Sequence, residues 1–131
     1  MSRIDDKYRS SKEYLLVYSE LINAARYRGT VTYQEMAQVL GLPLTGNYMG
    51  CQIGHVLGSI SEDEHELGRP MLSAVAVGVS GKPGDGFYGF ARDLDRFDSE
   101  DKDEKRRFWE AECQEVYKTW ARPLREPRAA E

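Results

Sequence analysis

The stretch "GTVTYQEMAQVLGLP", residues 29–43, allows few readings. Thr32 and Glu35 have the spacing of a capping box. The Thr32 oxygen takes the amide of Glu35, and the Glu35 carboxylate reaches back to the amide of Thr32. Val31 is a short extended lead-in. Met36, Val39 and Leu40 are expected to face inward from the helix that follows. Gly41 stops that helix, and Pro43 prevents its restart. A further helix is expected over about 46–61, with Met49, Ile53, Val56, Leu57 and Ile60 on one apolar face. Gly50, Gly54 and Gly58 recur every fourth residue within it. Each costs about 1 kcal/mol of helix stability relative to alanine. Three on one stripe imply that something approaches that backbone closely, either a neighbouring helix or the DNA backbone.

The remaining segments read around this pair. Leu15, Tyr18, Leu21, Ile22 and Ala25 recur at helical spacing over 11–27, with Ser10 or Ser11 as cap and Arg26, Arg28 and Gly29 at the end. "SEDEHELG" reads as a short polar turn or one helical turn, closed by Gly68. "PMLSAVAVGV" alternates large and small residues and reads as a strand. "SGKPGDG" turns, its glycines expected to supply positive φ, and "FYGFA" reads as the returning strand. "RDLDRFDSEDKDE" is a charged linker or helix start. A last helix over about 102–120 carries Trp109, Cys113, Val116, Tyr117 and Trp120 on one face. The expected fold is therefore α+β: a winged helix-turn-helix with a β-hairpin wing and an added C-terminal helix. It forms a single domain over 1–124, followed by a frayed tail over 125–131.

Composition narrows the function classes. The length of 131 residues suits one domain, and 40% hydrophobic residues suffice for one modest core. The net charge of -4 argues against an indiscriminate nucleic-acid binder but leaves room for a local basic face. The two cysteines, Cys51 and Cys113, form neither a disulfide framework nor a zinc pattern. Reduced thiols suit a cytoplasmic protein. No apolar run approaches the roughly 20 residues that span a bilayer, and "MSRIDDKYRSSKEY" lacks the h-region of a signal peptide, so no membrane association is expected. No cofactor is expected. "GKPGDG" lacks the Gly-Lys-Ser/Thr order of a nucleotide-binding loop, and the following segment reads as a strand.

"VTYQEMAQVLGLPLTGNYMGCQIGHVLGSI" resembles the DNA-binding domain of the O6-alkylguanine-DNA alkyltransferases and their alkyltransferase-like relatives. The matching residues are Val31, Thr32, Tyr33, Ala37, Gly41, Pro43, Gly50 and Leu57, within about 30 residues of the chain. The resemblance implies a first helix capped at Thr32 and a second helix entering the minor groove. The family's Pro-Cys-His-Arg is missing near "GRPMLSAVAV", so alkyl transfer is not expected. The family's arginine beneath an extruded base falls near Asn47 here, which counts against base flipping. The whole chain also resembles small bacterial proteins with an "LGxIS…GxPxLSA…GxPGxGF" pattern.

The expected function is therefore non-catalytic DNA binding, weak and salt-sensitive because cations are few. Tyr33 and Thr45 would meet phosphates at helix N-termini. Asn47, Tyr48, Gln52 and His55 would line the exposed side of the third helix. Arg69 and Lys82 would add charge, with Lys82 at the wing tip. A rival reading is a protein–protein adaptor or inhibitor on the same scaffold, with Trp120 as a partner anchor. A remoter one is a metal-dependent nuclease using Glu62, Asp63, Glu64, His65 and Glu66.

Overall fold

The computed structural model describes residues 8–44, 47–124 and 127–128, without the side chains of residues 47 and 48. Five helices and one small sheet follow in the order α1 (Lys12–Arg26), β1 (Val31–Thr32), α2 (Tyr33–Leu40), α3 (Asn47–Glu66), a 3-10 helix (Leu72–Val75), β2 (Ala76–Val77), α4 (Asp85–Asp93) and α5 (Lys102–Trp120). The architecture is broadly α+β and mostly helical.

Local chemistry sets the helix ends. The Ser11 hydroxyl caps α1 by accepting from the Tyr14 amide. Both halves of the Thr32–Glu35 capping box are formed. Gly41 closes α2 at φ 71°, in the left-handed region that favours glycine. Asp101 caps α5 by accepting from the Glu104 amide. Helix α3 continues through "SEDEHE" and ends only at Gly68, φ 76°, where the Arg69 amide donates to the Glu64 carbonyl. The expected polar turn is thus the last turn of a 20-residue helix.

The hairpin wing is not formed by residues 68–91. Leu72–Val75 is a 3-10 turn packed against α1, α3 and α5. Its residues are buried on every side, so no solvent face remains for an alternating strand. Backbone polar groups in such a segment need partners, and α5 supplies them. The Met71 amide donates to Glu112, while the Ala74 carbonyl accepts from the Trp109 indole and the Cys113 thiol. Only Ala76 and Val77 pair as strand, parallel to β1 in the register Val31↔Ala76 and Thr32↔Val77. The expected returning strand is α4. Phe87 and Ala91 are buried one helical turn apart, with Phe90 and Leu94 packed beside them. Short apolar runs fit periods of 2 and 3.6 nearly equally well; here the helix places both aromatic rings on the core side.

The core joins Val17, Leu21 and Ala25 of α1, Met36 and Ala37 of α2, and Ile53, Val56 and Ile60 of α3. Cys113 and Val116 of α5 close it from the other side. Two inward assignments change. Leu15 is 63% exposed, because α1 buries the face of Tyr14, Val17, Leu21 and Ala25, and Val39 is 38% exposed. The ends of α1 and α5 are tied by the Arg122 amide on the Arg26 carbonyl and by the Tyr117 hydroxyl on the Gly29 carbonyl. Among the described residues, no helix is long and apolar enough to cross a membrane.

Candidate functional site

Helices α2, α3 and α4 enclose a largely apolar pocket of about 200 Å3. Its floor is the Gly50–Gly54 stripe of α3, flanked by Ile53 and Leu57. Phe87 and Phe90 of α4 form one wall, Tyr33 of α2 another, and Ser73 lies at the back. A Cβ added at Gly50 or Gly54 would meet nothing within 4 Å. No neighbouring helix occupies that stripe, so the expectation of a close intramolecular partner fails at these two positions. The glycines keep open a cavity instead.

Tyr33 fixes one edge. Its hydroxyl accepts from the Gly84 amide at 2.7 Å, pinning the β2–α4 turn to the start of α2. Gly84 has an extended φ of -77°. A Cβ there would stand 3.2 Å from the Tyr33 oxygen, so close approach, not left-handed backbone, accounts for this glycine. In the turn the positive-φ glycine is Gly81, whose amide donates to the Gly78 carbonyl. Burial raises the Tyr33 phenol above its ordinary range, despite the opposing Gly84 amide, and keeps it neutral. The back of the pocket is also settled: the Ser73 and Ser61 hydroxyls share a buried hydrogen bond of 2.7 Å.

The sequence-predicted residues separate into different environments. Tyr33 lines the pocket, with its hydroxyl on the turn and not presented to an outside phosphate. Thr45 lies outside the described residues, as do the side chains of Asn47 and Tyr48. Gln52, expected on an exposed face, is buried and accepts from the Tyr8 hydroxyl, because Tyr8 packs over this part of α3. His55 is half-buried beside the Tyr8 ring, with Nε2 3.5 Å from the exposed Cys51 sulfur. Lys82 is exposed, on the β2–α4 turn where a wing tip was expected. Arg69 binds Glu64 through Nε at 2.9 Å and a terminal nitrogen at 2.7 Å.

The acidic run expected as a metal cluster is held in a different arrangement. Glu64 is fully buried, accepting from Arg69 and from the Tyr18 hydroxyl. Asp63 accepts from Tyr14 and pairs with Arg9, which also holds Glu62. The His65 ring approaches Arg96, itself paired with the buried Glu112. Among the described residues, no three metal-ligating side chains converge. Trp120 is half-buried, with the Arg69 guanidinium 5.3 Å from its ring centroid.

Sequence reasoning missed Phe87, Phe90 and Ser73 as pocket walls, because their segments were read as strands. The spacing of Phe87, Phe90, Ala91 and Leu94 carried the helical signal. Comparison with protein families, curated proteins and solved structures finds no match to the chain.

Proposed function

We propose that the protein binds DNA without catalysis, through α2, the turn after it and α3, and that its pocket receives one unstacked base. The observation carrying this reading is the pocket itself. It opens beside the helix that the alkyltransferase-like resemblance assigns to a DNA groove, its floor is glycine backbone, and its walls are Tyr33, Phe87 and Phe90. An extruded base is held by stacking between aromatic and apolar side chains. Glycines on the exposed stripe of a helix let another backbone approach. The missing arginine near Asn47 weakens extrusion from intact duplex, so the reading favours bases already loosened by mismatch or damage, which cost least to unstack.

The buried thiol does not suggest transfer chemistry. Cys113 is buried, with its ordinary value near 9 pushed up to about 12 by burial and then by neighbouring carboxylates. The pocket residue in the segment where the family carries its cysteine is Ser73, whose hydroxyl is paired to Ser61.

Anisotropy of labelled mismatched duplex at low salt tests this proposal. Binding is expected, with at least tenfold loss in Gly54→Leu, which fills the pocket from a site with free space around it. No binding by the wild-type chain at low salt would refute the DNA reading. The second reading, an adaptor seating a partner's aromatic side chain in the same pocket, draws on the net charge of -4. It predicts stoichiometric recovery of a protein partner that Gly54→Leu loses, with no effect of DNA.

A further inference from the structure

A second concavity, of about 400 Å3, lies across the β2–α4 turn from the pocket. Lys82 and Pro83 line it from the turn, Tyr88 from α4, and Lys102, Lys105, Arg106 and Trp109 from α5. The two sites share a boundary: Gly84 lines the pocket, and the two residues before it line the groove. On α4, Phe87 and Phe90 face the pocket while Tyr88 faces the groove. We propose that this groove is a track for the phosphodiester backbone of the nucleic acid whose base enters the pocket. The proposal rests on the DNA reading and adds a surface on α5 to it.

Charge placement carries the argument. The groove gathers four cations against two carboxylates, Asp103 and Glu110. Lys102, Lys105 and Arg106 sit in the first turns of α5, where the positive end of the helix dipole disfavours cations. Asp101 caps this end and Asp103 and Glu104 share its first turn, so the dipole is already met, and Arg106 and Lys105 have carboxylate partners. The cations left for an outside anion are Lys82 and Lys102, which face the same groove from two elements. Arg106 is only loosely engaged, 3.7 Å from Asp103 and 3.9 Å from Glu110, at exposed sites. Lys105 is held over the Tyr88 ring, 5.2 Å from its centroid, and reaches Glu100 at 3.4 Å. Lys82 and Lys102 are exposed and make no ion pair among the described residues. Cations along an aromatic wall are the usual equipment for tracking a strand, and they lie in a chain whose total charge is acidic.

The test uses the full chain and mismatched duplex, with affinity measured against salt. Each lost phosphate contact on duplex lowers the slope of log K against log salt by about 0.9. Lys82→Gln/Lys102→Gln is expected to lower it by about 2. Lys12→Gln/Lys118→Gln, the same charge change on exposed residues away from the groove, is the control and should leave the slope near wild type. Equal slopes for the two pairs, in a chain that binds duplex and loses binding in Gly54→Leu, would overturn the groove and leave the pocket reading intact. No binding by the wild-type chain would overturn both. The groove variants touch exposed lysines, and a thermal melt coincident with wild type shows that the slope reports binding, not unfolding.

Discussion

Glu64 is fully buried, and Arg69 is the cation that matches it. Removing one partner of such a pair leaves an uncompensated charge in the interior. Arg69→Met is expected to cost about 3 kcal/mol, near the low end for buried pairs because Arg69 is partly exposed. Urea unfolding measures this, and a change under about 0.5 kcal/mol would contradict the assignment. The sequence suggested Arg69 as a DNA contact because an arginine beside a turn has no visible partner in one dimension. Its partner five residues earlier becomes apparent only when α3 runs on to Glu66. The two cysteines give a second prediction. A thiol reagent should label Cys51 in the native chain and reach Cys113 only on unfolding. Two fast-reacting thiols would refute that burial. Alkaline pH gives a third. Burial raises Cys113 from 9 to about 12, and Tyr18 from 10 to about 12 with its hydrogen bond to Glu64 contributing. Both groups hold their protons more tightly when folded than when unfolded, so stability falls as pH rises from about 9 toward 12. Denaturant midpoints across that window should decline, and a flat profile would refute the shifts.

Elements were legible where end signals and period agreed. The capping box, Gly41 and the span of α5 stand as the sequence suggested. Thr32→Ala should cost about 1 kcal/mol, measured by thermal melt. The hairpin was not legible, because an alternating apolar run does not tell whether its backbone partners are a strand or side chains. Here they are Glu112, Trp109 and Cys113 of α5, about 40 residues onward. The same limit hid α4 and two pocket walls. The glycine stripe was visible, but its meaning changed from a packing surface to a cavity floor. Gly50→Ala and Gly54→Ala should each stabilise α3 by about 0.5–1 kcal/mol, since a Cβ meets nothing there and alanine favours helix. The same changes should weaken ligand binding, a trade expected where function retains an unfavourable residue. Destabilisation by either substitution would mean that the space over the stripe is filled.

At the scale of the whole molecule, α1, α3 and α5 surround the buried 3-10 turn, while α2 and α4 are brought together by the short parallel pairing and by Tyr33 on Gly84. That arrangement sets the pocket on one side of the β2–α4 turn and the cationic groove on the other. Composition indicated only that any basic face would be local. It could not bring Lys82 and Lys102 to one groove, because their shared position depends on α4 folding back toward α5. What sets this molecule apart from a surface binder is a pocket that takes an unstacked base. The most direct measurement places 2-aminopurine at a mismatch and follows its fluorescence on adding protein at low salt. Emission is expected to change and to saturate with binding in the wild-type chain, and to stay constant in Gly54→Leu. Binding without that change, or the same change in the pocket-filled variant, would contradict the pocket reading.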